Sequence, residues 1–167
     1  MMKISRAESG FTLLEGMIAT AILSVGVIAM TAMQGIAITR NVDSTELTLA
    51  TNLASEMLER IQYNRRNVIA YANMDTANPC ALPVSQPMAQ GDCVQWQAMM
   101  NTQGVSGISQ ASILTGVRGV VTVTPVMTNP PLFQSTVSVV VTWTGRSMGT
   151  TAATPRRVTL NTTIAPE

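Results

Sequence analysis

The 167-residue sequence has no histidine, two cysteines and only 4% aromatic residues. Each scarcity removes a class of chemistry. Without histidine, Ser-His-Asp and Cys-His catalysis are excluded, together with most zinc and iron sites. Two cysteines cannot furnish a four-cysteine metal centre or an iron–sulfur cluster within one chain. Charged residues make up 11% of the chain, against about 25% in an average soluble domain. Ten basic residues against nine acidic ones give a formal charge of +1, so no cationic excess is available to neutralise phosphates. No cofactor, no metal and no nucleic-acid partner is expected. The length suits one domain, or one domain plus an anchor.

What the chain does have is an uneven distribution of apolar residues. From Gly16 to Thr39, 24 consecutive residues carry no charge and no proline. A bilayer core of roughly 30 Å requires about 20 apolar helical residues, and a helix apolar all round fits poorly inside so small a protein. This segment is therefore expected to span a membrane. The leader before it, residues 1–10, carries Lys3 and Arg6. The positive-inside rule places these in the cytoplasm and everything after Arg40 outside it. No small-residue cleavage site follows Thr39, as an ordinary signal peptide would require; the small residue Gly10 instead precedes the apolar run. Glu15 is the one charged residue between Gly10 and Arg40. A carboxylate there is costly and tends to be functional; snorkelling to the headgroups is the simpler alternative. Gly16, Thr20 and Ser24, and again Thr31, Gly35 and Thr39, recur at four-residue spacing. Such small-residue faces allow close helix approach, although ordinary membrane-helix composition gives the same pattern. Gly26 and Gly35 lower helix propensity by roughly 1 kcal/mol each, and local unwinding is expected there.

Beyond Thr39 the pattern turns amphipathic. Leu47, Ala50, Leu53, Ala54, Met57, Leu58 and Ile61 recur at three- and four-residue spacing, with acids and Arg60 between them. One helix is expected from Phe11 to about Asn64, roughly 80 Å long at 1.5 Å per residue. It would be membrane-spanning over 11–39 and amphipathic over 40–64. Residues 65–167 form a head. Val117–Thr124, Ser135–Thr144 and Arg156–Ile164 read as β-branched strands bounded by Gly and Pro. Val137, Val139, Val141 and Trp143 share one face, as do Val158, Leu160 and Ile164. An antiparallel sheet of at least three strands follows, with the helix covering its apolar face. The fold class is α+β. Cys80 and Cys93 enclose a short proline-containing segment. Outside the cytoplasm such a pair is expected to form a disulfide; two free thiols are the alternative. Asp92 is expected to cap a short helix from Cys93 to Met100, with Trp96 in the core. Arg65, Arg66, Arg156 and Arg157 could gather into a patch, but with so few stacking aromatics a solvated surface is the better reading.

Gly10-Phe11-Thr12-Leu13-Leu14-Glu15, followed by the apolar helix, resembles the type IV pilin signature GFTLxE. The segment Ala50–Asn64, with Leu53, Ala54, Met57, Glu59, Arg60 and Asn64, resembles that of PilV-type minor pilins (type IV pilus modification proteins); Tyr71 and Trp96 fit the same pattern. Gly16, where the family usually has a larger apolar residue, and Glu8 in the leader are departures. The resemblance implies the type IV pilin fold, with a long N-terminal helix packed on an antiparallel head. It also implies that a prepilin peptidase cuts between Gly10 and Phe11 and methylates the new amino group.

Cleavage would remove Lys3, Arg6 and Glu8, leaving eight basic and eight acidic residues. The free amino terminus would lie four residues before Glu15, on the same helical face. The Glu15 carboxylate could then pair with the amino terminus of a neighbouring subunit. In low dielectric such a pair is strong, and leaving it unmade is costly, so it also sets register. The function implied is that of a minor pilin taking part in pilus assembly, with effects on adhesion and twitching motility. Its partners would be prepilin peptidase, other minor pilins, the major pilin and inner-membrane lipid. It would sit in the bacterial inner membrane with a periplasmic head, and later in the pilus at the cell surface. The alternative is a minor pseudopilin of a type II secretion system. A calcium-binding head is disfavoured, because Asp75, Asp92 and Glu167 are its only acids. A membrane-tethered enzyme lacks a nucleophile motif, and a DNA-uptake pilin would require a clustered basic patch.

Overall fold

The apolar run and the amphipathic run fold as parts of one helix. In the computed structural model, which describes residues 12–80, 85–100, 114–127, 133–145 and 154–165, α1 extends over Leu13–Tyr63. Its ends lie within two residues of those expected. The helix passes through Gly26 and Gly35 without interruption, so the expected unwinding is absent. A propensity cost of roughly 1 kcal/mol per glycine is small beside the hydrogen-bond ladder of a 51-residue helix.

The chain divides into two compact units, Met1–Asn41 and Val42–Glu167. In the first, the α1 side chains are exposed, including Ile22, Leu23, Val25 and Ile28. In the second, Ala50, Leu53, Ala54, Met57 and Ile61 of α1 are buried, the stripe that three- and four-residue spacing puts on one side of a helix.

After α1 comes a 3-10 helix at Arg65–Tyr71, then a two-residue strand, β1, at Met74–Asp75 and α2 at Pro87–Met100. Three longer strands follow: β2 (Thr115–Pro125), β3 (Ser135–Thr144) and β4 (Pro155–Ile164). All neighbours in the β1-β2-β3-β4 sheet are antiparallel. Val121 faces Val139, Val139 faces Leu160, and Val141 faces Val158 across the strands. Period-2 alternation puts Val121, Val137, Val139, Val141 and Trp143 in the core on one face. On the edge strand β4 the apolar face is only half-covered: Val158 and Leu160 are partly buried and Ile164 is buried. Between Thr115 and Arg118 the β2–β3 register shifts, and Gly116 adopts φ +62° there, a conformation glycine reaches without a Cβ penalty.

One of these expectations needs correction. Asp92 is not a helix cap. It lies inside α2, which starts at Pro87, where the absent N–H and preset φ of proline suit the first helical turn. The four arginines do not form one patch. Arg156 bonds to the α1 segment around Asp43, whereas Arg65 follows the far end of α1, about 20 residues and roughly 30 Å along the helix.

Candidate functional site

The start of α1 shows how the signature residues are used locally. Thr12 caps the helix: its Oγ1 accepts a hydrogen bond from Glu15 N–H at 3.3 Å, and its carbonyl accepts from Glu15 N–H and Gly16 N–H at 3.0 and 3.2 Å. Thr12 and Glu15 thus form the T-x-x-E pattern of a capping box, a signal in the sequence beyond the pilin resemblance. The acid in the first turn also faces the positive end of the helix dipole. Glu15 is exposed, and no ion pair to it is present among the described residues. Gly10 and Phe11, the expected processing junction, lie outside the described residues.

Along the apolar segment the hydroxyls bond to the helix itself. Thr20 Oγ1 donates to Gly16 O and Met17 O, Ser24 Oγ to Ala21 O, Thr31 Oγ1 to Val27 O and Thr39 Oγ1 to Gly35 O, at 2.7–3.0 Å. These contacts satisfy the hydroxyls without a neighbour, as an apolar medium demands. The helix is long and apolar enough to cross a membrane, and none of its qualifying 18-residue window is buried.

In the head, polar contacts bind α1 to its surroundings at two levels. At the C-terminal level, Arg60 donates to Glu56 (2.8 Å), Asp92 (3.1 Å) and Gln95 (2.5 Å). Tyr71 O–H donates to the other oxygen of Asp92 at 2.6 Å, and Asn64 Nδ2 donates to the Tyr71 oxygen at 3.1 Å. Burial, reinforced by the Asp92 hydrogen bond, pushes the Tyr71 phenol well above its ordinary range. Burial opposes the charge on Arg60, but its bonds to Glu56 and Asp92 outweigh that and shift it upward. Cys93, beside Asp92, is bonded to Cys80 in a disulfide with Cα atoms 5.8 Å apart. Trp96 is fully buried and donates its Nε1–H to Leu53 O at 3.0 Å.

At the N-terminal level, Trp143 Nε1–H donates to Glu46 Oε2 at 3.0 Å. Glu46 is fully buried, and its Oε1 has no hydrogen-bond partner among the described residues. Arg156 Nη1 lies 2.9 Å from Asp43 Oδ1 and 3.9 Å from Glu46 Oε2. Although that contact is an ion pair, Asp43 Oδ1 receives no well-directed hydrogen bond. Asp43 nonetheless holds the Arg156 guanidinium above its ordinary pKa. Sequence reasoning missed this group, because Glu46 and Trp143 are 97 residues apart and a buried glutamate on a helix has no periodic signature.

Elsewhere, Asp75 accepts both donors of Arg118, at 2.9 and 2.5 Å; the Arg118 hydrogen bond holds its carboxyl below the usual range. Among the described residues, no three His, Cys, Asp or Glu side chains gather into a metal-binding group.

Residues 5–31 match the family described as the prokaryotic N-terminal methylation motif. This motif indicates a prepilin of the type IV pilin or pseudopilin kind. The matched segment runs from the leader through the capped start of α1 and into its exposed apolar half. Together with the helix-on-sheet head, it gives an α+β, type IV pilin-like fold. No curated protein and no solved structure matches the chain.

Proposed function

We propose that this protein is a minor pilin of the PilV type, held in the bacterial inner membrane by residues 11–39 with its head in the periplasm. A prepilin peptidase removes residues 1–10 and methylates Phe11, and the subunit then joins other minor pilins and the major pilin in starting a type IV pilus at the cell surface. Effects on adhesion and twitching motility follow from that role. It acts as a structural subunit rather than as an enzyme. The observation that carries this reading is the methylation motif over residues 5–31, which leads into an exposed apolar helix whose one acid before Arg40 is Glu15.

In this mechanism the acid serves assembly. Glu15 is unpaired within its own described chain and pairs with the amino terminus of Phe11 on a neighbour, where low dielectric strengthens the contact. Mass spectrometry of membrane-extracted protein tests the processing step. A chain starting at Phe11 with one added methyl group is expected, and a population retaining residues 1–10 refutes it. For the docking step, Glu15→Ala should insert in the membrane but lose sibling subunits in a pull-down; undiminished recovery of siblings refutes the role. The methylation motif also suits a minor pseudopilin of a type II secretion system. Co-isolation with secretion rather than pilus components would favour that reading.

A further inference from the structure

The sheet ends differently on its two sides. On one side β1 pairs with β2 at Val120 and Val121. There Arg118 is held by Asp75, and the register shift between Thr115 and Arg118 interrupts the strand. A short edge strand, charges and a bulge keep an edge from recruiting another chain. β4, on the other side, lacks these devices over most of its length. Its ladder with β3 is unbroken from Pro155 to Ile164, and Val158–Ile164 contain no charge, proline or glycine. Among the described residues only β3 pairs with it. Every second residue of β4 therefore directs its N–H and C=O away from the sheet.

The side chains fit an edge that is left open. Val137, Val139 and Val141 of β3 are fully buried, whereas the neighbouring Val158 and Leu160 of β4 are only partly covered. The charges of β4 lie at its start. Arg156 faces α1 and is paired with Asp43 at 2.9 Å. Alternation puts Arg157 on the other face, where it is exposed and has no ion pair among the described residues. A strand complementary to this edge carries apolar residues on the α1 side and an acid on the face of Arg157.

A second copy does not meet these terms. β4 contains no acid to offer Arg157. Antiparallel pairing of two β4 edges has its twofold axis along the sheet normal, which reverses α1. The Val42 ends of the two heads would then point in opposite directions, whereas the proposed function holds both chains in one membrane. Parallel pairing turns one sheet over and sets the outward Thr159 and Asn161 of one copy beside Val158 and Leu160 of the other.

We propose that the outer edge of β4 receives an extended strand from a chain of different sequence. Main-chain hydrogen bonds hold it, its apolar side chains cover Val158 and Leu160, and its carboxylate meets Arg157. The exclusion of a second copy rests in part on the proposed membrane anchoring; the open edge does not.

The probe is a ten-residue peptide with the sequence of Ser135–Thr144, the natural neighbour of β4, carrying Thr142→Glu so that its acid falls opposite Arg157. In hydrogen–deuterium exchange of the full chain in detergent, the peptide should slow β4 amides and leave β3 amides unchanged. Backbone N-methylation of alternate peptide residues should abolish binding in one phase and spare it in the other, because only one set of amides faces β4. By fluorescence anisotropy of the labelled peptide, Arg157→Gln should weaken binding about two- to fivefold, the scale of a cross-strand charge pair. The peptide with its original threonine should be weaker by a similar factor, a comparison that needs no variant of the protein. Absent β4 protection, loss of β3 protection, two N-methylated phases that behave alike, or an affinity indifferent to the acid overturns the proposal. So does β4 protection that grows with protein concentration without peptide, which makes a second copy the occupant. Failure of the two readings is separable. A chain that binds the peptide but keeps residues 1–10 in cells defeats the processing step alone, and a processed chain whose β4 edge takes no strand defeats the strand site alone.

Discussion

Replacing Gly119 with alanine should destabilise the head, although general propensity points the other way. Glycine within a strand is unfavourable by roughly 0.5–1 kcal/mol relative to alanine, so the substitution would ordinarily help. At this position a Cβ would stand 2.6 Å from Met100 Cε and 2.7 Å from Trp96 Cζ2, with Trp96 Cη2 closer still. The methionine end is flexible and can yield. The indole cannot yield as easily, because it is fully buried and tied through Nε1 to Leu53 O. The strand cannot retreat either: Gly119 N–H donates to Thr76 Oγ1 at 2.8 Å, and Thr76 N–H donates to Gly119 O at 2.9 Å. Overpacking of this kind costs about 1–3 kcal/mol, which exceeds the backbone gain. The expected result is a melting temperature lower by roughly 3–8 °C, read by near-ultraviolet circular dichroism on the full chain in detergent. Gly91→Ala is the matched control. Gly91 lies within α2 with nothing near the position of a new Cβ, so alanine should stabilise by up to about 1 kcal/mol. Combining Gly119→Ala with Trp96→Phe should cost less than the two single changes added together. A Gly119→Ala protein as stable as the parent would refute the reasoning.

Three further outcomes are expected. Serine at both Cys80 and Cys93 should lower stability by about 3 kcal/mol, the chain-entropy value for a loop of this size, measured by denaturant unfolding without reductant. Glu46→Ala leaves the buried Trp143 Nε1–H without an acceptor and should cost about 1–3 kcal/mol. Glu46→Gln keeps that acceptor and should cost less; equal losses in denaturant titrations of the two variants would argue against the Trp143 bond. Because the folded-state pKa of Tyr71 is raised, its contribution is complete below the ordinary tyrosine value near 10 and declines as pH rises through the folded one. In a Tyr63→Phe background, absorbance at 295 nm should therefore show no tyrosinate at pH 11 until the protein unfolds.

The regular elements were legible because their periods are simple. A run without charge, then a three- and four-residue apolar stripe, located α1 to within two residues at each end. Alternating valines placed β3 at Ser135–Thr144 and located β2 and β4 to within two residues. β1 was not legible, since two residues carry no period and pair only because β2 offers an edge. The start of α2 was hidden because Gly91 weakens the helical pattern and Asp92 resembles a cap. Asp92 instead accepts from Arg60 and Tyr71, contacts reached only after the chain has folded back on itself. The Asp43–Arg156 ion pair was invisible for the same reason: its partners come from α1 and β4, far apart in the chain. Glu15 was prominent, but its local bond with Thr12 was overlooked beside the resemblance.

The hydroxyls of the apolar helix have one last consequence. Thr20, Ser24 and Thr31 spend their protons on carbonyls of their own backbone, so those protons make no demand on whatever surrounds them. Fluid acyl chains and the packed flank of another helix are then nearly equivalent neighbours for this rod. A subunit built this way can leave one for the other without breaking a single hydroxyl contact, and the change of surroundings is felt mainly at its acidic tip.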